Sequence, residues 1–287
     1  MSSTSEERSR ASNEAAPPVL MGVVNVTPDS FSDGGRFLDP DAAAEHGARL
    51  AADGAAILDI GGESTRPGAQ PVTAEEEIER AVPVVERLAG ATPARLSIDT
   101  MKLDVARAAL AAGAGVVNDV SAFRGDPEMA GLVASSAADC CLMHMRGEPR
   151  TMQEDPRYDD VVSEVASFLE ERMRFALAEG VPEERIWLDP GIGFGKTVEH
   201  NLALLRRLGE IVAIGRPVVI GASRKSFLGA VTEREVHDRL PGTIAANVMA
   251  LERGAAIFRV HDVAEVRDAL RVTAATVGPP PWTTPNS

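Results

Sequence analysis

Val218-Val219-Ile220-Gly221-Ala222-Ser223-Arg224-Lys225-Ser226-Phe227 is an apolar, β-branched run that stops abruptly in Gly, Ser and two cations. Runs of this kind form strands buried on both faces of a parallel sheet. The residues after such a strand lie at its C-terminal end, where α/β sheets and barrels bind ligands. Lys225 is a site candidate by that position, although a single lysine after a single strand is ordinarily solvated. Other apolar runs break off in the same way, at Asn25, Asp99, Asn118, Asp189 and the Arg259/His261 pair. If these ends meet, they form one polar pocket with Lys225 in it.

Outward from this strand the chain keeps one rhythm. Strands are expected over 19–26, 55–60, 95–98, 115–120, 139–145, 186–188, 217–220 and 256–260. They alternate with helices over 41–53, 74–88, 102–112, 127–136, 158–178, 199–208, 243–253 and 263–276. In the helix over 158–178, Val161, Val162, Val165, Phe168 and Leu169 mark one apolar face. Consecutive βα units without a run of adjacent strands predict a closed (β/α)8 barrel over 19–277, an α/β fold of the TIM-barrel type. Right-handed crossovers would bring every βα loop to one rim. An open doubly wound sheet is the competitor. Residues 1–18 are polar and read as a disordered leader. Residues 278–287 open with Gly278-Pro279-Pro280-Pro281, which cannot continue a helix, and read as a loose tail.

Composition narrows the function. The 287 residues are 44% hydrophobic, enough for a large core, and carry a formal charge of −14. That balance disfavours broad binding to nucleic acid or an anionic membrane, which needs a basic face. An anionic substrate would need a local cationic pocket. No window is apolar enough to span a bilayer, and no signal peptide is apparent, so a cytoplasmic location is expected. Cys140 and Cys141 are neighbours in a strand-like run; their side chains should point to opposite faces and stay reduced.

The predicted rim residues carry distinct chemistry. The first βα connection runs from Asn25 through Thr27, Phe31 and Asp33 to Gly34-Gly35, and long loops of this kind are often lids. Asn25 offers a carbonyl oxygen suited to a hard cation such as Mg²⁺, and Asp33 would bring a mobile carboxylate. In the second connection Arg66 can clamp an anion, or simply be solvated. Asp99, Asn118 and Asp189 follow apolar residues and should point into the barrel mouth. There they would meet a ligand edge rich in N–H groups, or bond to one another and to Lys225 as internal glue. Arg259 and His261 are two apart, share a face, and form a positive pair suited to pyrophosphate. The stretch Gly191-Ile192-Gly193-Phe194-Gly195-Lys196-Thr197 ends like a phosphate-binding loop, but Pro190 stands where that motif needs its first glycine. It reads instead as a glycine-lined rim carrying Phe194. The five histidines have no HxxxH spacing.

Taken together, the stretches 25–35, 59–68, 189–196, 223–226 and 259–263 resemble dihydropteroate synthase, and the resemblance spans 19–277 in the right order. It implies a (β/α)8 barrel that joins 6-hydroxymethyl-7,8-dihydropterin pyrophosphate to p-aminobenzoate for folate synthesis. It further implies that Asp99, Asn118, Asp189 and Lys225 hold the pterin, with Met143 against its face. Asn25 would ligate Mg²⁺, while Arg66, Arg259 and His261 would receive pyrophosphate. Phe31, Thr65, Pro67, Phe194, Lys225 and Ser226 would frame p-aminobenzoate. Asp33, Lys225, Arg259 and His261 are the implied catalytic set, in an SN1-like reaction. The family implies a homodimer and a target for sulfonamides, with no nucleic-acid or membrane partner. Three alternatives stay open: a pterin-binding paralogue without turnover, a Schiff-base aldolase using Lys225, and a pterin-binding methyltransferase.

Overall fold

The computed structural model describes residues 17–27, 39–65 and 68–277. Phe31, Asp33, Arg66, Pro67, most of the expected leader and the expected tail lie outside them. Strands and helices alternate in chain order as β1 (Val19–Asn25), α1 (Pro40–Ala52), β2 (Ile57–Gly61), α2 (Ala74–Leu88), β3 (Arg95–Asp99), α3 (Leu103–Ala111), β4 (Val116–Asp119) and α4 (Glu128–Ser135). The second half continues β5 (Asp139–Met143), α5 (Val161–Ala178), β6 (Ile186–Asp189), α6 (Val198–Arg206), α7 (Leu208–Val212), β7 (Val219–Ile220), α8 (Ser226–Thr232), α9 (Leu240–Glu252), β8 (Ile257–Val260) and α10 (Val263–Val277).

All pairings are parallel, and β1 lies between β2 and β8, with Val19 opposite Ile257. An open doubly wound sheet would leave two edges. Here the remaining gap, between β6 and β7, is closed by a parallel bridge from Leu188 to Val218 and by Leu188 N–H donating to the Pro217 carbonyl at 3.0 Å. The expected barrel therefore forms and the open sheet does not. Strand β7 keeps only two of the four residues expected of it; Pro217 has no N–H to give a ladder. Helix α9 starts three residues earlier than expected, at Leu240, because Pro241 fits the first turn, where its missing N–H costs nothing. Helix α7 is an addition between α6 and β7, and α8 an addition within the connection from β7 to α9.

Period-two alternation sorts the strands into two faces. Leu58, Ile60, Ile98, Val117, Cys140, Leu142, Leu188 and Phe258 face outward into the large core beneath the helices. Met21, Ile57, Val116, Cys141, Trp187, Val219 and Ile257 face inward and fill the lower barrel. Two residues further along the same inward face, chemistry changes from apolar to polar: Ile57 is followed by Asp59, Val116 by Asn118, Trp187 by Asp189 and Ile257 by Arg259. The polar ends therefore rest on a dry apolar plug. Helix caps fix the surrounding frame: Thr73 Oγ1 accepts from Glu76 N at 3.2 Å, and Asp160 caps α5 through Val162 N at 2.9 Å.

Cys140 and Cys141 face opposite sides, as period two requires, and both are fully buried. Burial pushes both thiols above their ordinary range. In the native protein neither thiol should react with Ellman's reagent, whereas both should react in guanidinium chloride; fast labelling of either native thiol would contradict this packing.

Candidate active site

Asp59 is the node where the inward faces meet. It is fully buried. Its Oδ1 accepts from Ser97 Oγ at 2.6 Å, and its Oδ2 accepts from Asn118 Nδ2 at 3.0 Å and from Arg259 Nε at 2.6 Å. Arg259 Nη2 also donates to Asp99 Oδ2 at 2.8 Å. One guanidinium thus ties β8 to β2 and β3, and Asn118 brings in β4. Burial opposes the Arg259 charge, but Asp59 and Asp99 outweigh it and hold that charge more firmly than usual. Burial raises the Asp99 carboxyl to about 7, against the pull of Arg259.

Across the mouth, Asp189 Oδ1 accepts from Gly191 N at 2.7 Å, which turns the chain sharply after β6. Gly191 has φ +67, and a Cβ there would stand 1.9 Å from the His144 carbonyl oxygen, so only glycine fits. The glycine rim then returns Phe194 toward Lys225, whose Nζ lies 4.1 Å from the ring centroid and donates to the Ile192 carbonyl. Burial lowers the Lys225 ammonium to about 7, although Asp189 pulls the other way. Met143 packs with Val120, Met145, Met152, Met101 and Phe194 in a soft apolar patch beside these groups. Below it, Lys196 Nζ meets His144 Nδ1 at 2.9 Å and donates to the Phe194 carbonyl at 3.0 Å. Burial, with Lys196 adjacent, drives the His144 pKa down to about 2, so that ring stays neutral and acts as part of the wall.

After β7 and β8, Ser223 Oγ lies 3.0 Å from His261 Nδ1. Arg224 adopts φ +58, an uncommon conformation for a residue with a side chain, and its Nε donates to Asp262 at 3.0 Å. Ser226 is exposed at the start of α8, next to Lys225. Thr65 is half-buried in the second rim loop. Asn25 Oδ1 and Asp99 Oδ2 both face Gly61, each 3.8 Å from the point where its Cβ would be. No cluster of three His, Cys, Asp or Glu side chains suited to a metal occurs among the described residues. With Asn25 the one side-chain ligand expected, a Mg²⁺ would be held mainly by water and phosphate oxygens.

The structure brings together Asn25, Asp99, Asn118, Met143, Asp189, Phe194, Lys225, Arg259 and His261 at one rim. It also revises two readings. Arg259 is already matched by two carboxylates and is not a free positive patch, while His261 Nδ1 lies against Ser223 Oγ. The internal bonding of Asp99 and Asn118 runs through Arg259 and Asp59, not to one another or to Lys225. Sequence reasoning had overlooked Asp59, Ser97 and Lys196 as parts of the site. Asp59 was visible as the one acid inside an apolar run, two residues before the end of its strand. The three lysines of the chain, Lys102, Lys196 and Lys225, each follow the end of a strand, a pattern as legible as the apolar runs.

Residues 21–261 match a family of pterin binding enzymes. A dihydropteroate synthase of Mycobacterium leprae is 49% identical over 267 residues, covering 91% of this chain and 94% of its own. The structure of dihydropteroate synthase from Xanthomonas albilineans in complex with 7,8-dihydropteroate superposes with a TM-score of 0.82 at 47% identity, covering 91% of this chain and 94% of that one. The Yersinia pestis dihydropteroate synthase, in a sulfonamide drug complex, superposes at 0.87 with 42% identity over 91% and 94% of the two chains. A polar girdle above an apolar plug, on a barrel matched along nearly its whole length, leads to one conclusion: this chain belongs to the dihydropteroate synthase family of pterin-binding enzymes.

Proposed function

We propose that this chain condenses 6-hydroxymethyl-7,8-dihydropterin pyrophosphate with p-aminobenzoate to give 7,8-dihydropteroate and pyrophosphate, a step of folate biosynthesis. The observation that carries the reading is the girdle of buried Asn118 and Asp189 with partly buried Asp99. It offers acceptors to a flat heterocycle rich in N–H groups, as a pterin is. Met143 would lie against the ring, and Lys225 would donate to its carbonyl edge. The 7,8-dihydropteroate held by the Xanthomonas relative supports this substrate class.

Arg259, His261 and Arg66 would receive the pyrophosphate. Asp59 grips the Arg259 Nε and so fixes the guanidinium before the substrate arrives, which is the preorganisation that favours a developing anion. Asn25 would hold Mg²⁺, which when bound offsets the charge of the leaving group. The C–O bond to pyrophosphate then breaks ahead of attack, leaving cationic character on the pterin methylene carbon. Asp33 stabilises that carbon, and the arylamine nitrogen forms the new C–N bond and sheds its proton to water or to the released pyrophosphate. Phe31, Thr65, Pro67, Phe194 and Ser226 would frame p-aminobenzoate, and a sulfonamide of similar shape would compete there. The reading carries with it a homodimer in the cytoplasm; sedimentation velocity tests the dimer. None of the described helices is long and apolar enough to cross a membrane.

A Schiff-base aldolase has one observation in its favour, the Lys225 amine lowered to about 7. Borohydride should nevertheless fail to trap a carbonyl substrate on Lys225. Mixing protein, Mg²⁺, the pterin pyrophosphate and p-aminobenzoate should release pyrophosphate only when all are present. Binding of pterin without release would instead support a paralogue without turnover.

Further outcomes follow from the assigned roles. Replacing Asp33 by Ala should lower kcat far more than pterin affinity, and a pure affinity loss would remove that role. Arg259→Met should lower kcat/KM for the pterin pyrophosphate by about a hundredfold or more, the usual scale for losing a charge-stabilising donor. Affinity for a pterin should peak near neutrality: below about 7 Asp99 gains a proton and loses acceptor strength, and above about 7 Lys225 loses the proton it donates. Calorimetry across pH, corrected for ligand ionisation, should show that Lys225→Met binds more weakly and lacks the alkaline limb.

A further inference from the structure

The second rim loop is anchored from beneath by a short chain of charges. Glu63 Oε1 accepts from Val72 N at 3.1 Å, which closes the loop on itself, and Glu63 Oε2 pairs with Lys102 Nζ at 2.7 Å. Lys102 stands at the N-terminus of α3 and also pairs with Glu77 Oε2 at 2.5 Å. Glu77, on the first turn of α2, is fully buried, and its second oxygen has no hydrogen-bond partner. Backbone contacts follow the same path. Arg80 Nη1 donates to the Gly62 carbonyl at 3.0 Å, and a Cβ on Gly62 would stand 2.9 Å from the Glu77 carbonyl oxygen. Burial pushes the Glu77 acid up while Lys102 pulls it down.

A loop that merely needed covering would be held as well by apolar contacts, because a buried ion pair is seldom more stabilising than well-packed hydrocarbon. Charges instead define a single position, since each must meet its partner within a few tenths of an ångström. The loop so fixed leads directly from Glu63 to Thr65 and Arg66. We propose that Glu63, seated on Lys102 and Glu77, is a positioning residue that sets the second rim loop for p-aminobenzoate. The inference rests on the reaction proposed above. Glu63 acts not on the substrate but by holding Thr65 at the rim of a pterin pocket that is built independently, from β3, β4 and β6.

Glu63→Ala tests it without stranding a buried acid, because Glu77 keeps Lys102. The expected result is a fall of about tenfold or more in kcat/KM for p-aminobenzoate, with calorimetric Kd for 6-hydroxymethyl-7,8-dihydropterin, which lacks the pyrophosphate, within about twofold of wild type. Glu63→Gln, which keeps an acceptor for Val72 N–H but loses the charge paired with Lys102, should recover only part of the loss. Lys102→Met combined with Glu77→Gln removes the charges below the loop together and should reproduce the selective loss. Hydrogen exchange at residues 62–65 and 68–72 should quicken in Glu63→Ala, with β2 unchanged. Wild-type kinetics and exchange in Glu63→Ala, or parallel weakening of pterin binding, would overturn the proposal. If the wild-type protein forms no dihydropteroate, the reaction is wrong; the exchange experiment then still decides whether Glu63 anchors the loop.

Discussion

The Asp59 carboxylate takes three donors, from Ser97, Asn118 and Arg259, at a depth where no water reaches it. An acid in that position is tolerable only because its charge is matched by a guanidinium and its oxygens by hydrogen bonds. Remove one partner and the others are left buried and unmatched, a loss of about 3–5 kcal/mol for a broken internal pair. The mouth of the barrel depends on this arrangement. It joins β2, β3, β4 and β8, and it gives Arg259 one orientation before any ligand is present.

The opposite half of the mouth is built by backbone geometry. Gly191 turns at a place where a side chain would collide with the His144 carbonyl, and Arg224 adopts a left-handed conformation held by Thr243 and Asp262. Unfavourable backbone geometry of this kind persists where surrounding contacts over-determine it, and such places cluster at functional sites. Between the two halves lie Asp99 and Lys225, each shifted toward neutrality by burial. A site whose acid and base both sit near neutral can exchange hydrogen-bond partners with a ligand at little electrostatic cost.

Legibility in the sequence followed the type of interaction. The strands were evident because burial on both faces leaves apolar runs, and their polar ends were evident because they interrupt those runs. Asn25, Asp99, Asn118, Asp189, Lys225, Arg259 and His261 were found in this way. Asp59 was overlooked as a site residue because an acid within a strand signals nothing until its partners are known, and these lie 38, 59 and 200 residues away. The same holds for the pairing of Lys196 with His144, 52 residues apart.

By itself the sequence determined the order of strands and helices and the set of polar residues brought to one rim. These follow from periodicity, which is local. Closure of the barrel between Leu188 and Val218, the neutralisation of Arg259 by two acids, and the seating of Glu63 on Lys102 and Glu77 were decided only by the tertiary structure. Each depends on the distance between side chains far apart in the chain, and charge and hydrogen-bond energies change over fractions of an ångström that no local pattern encodes.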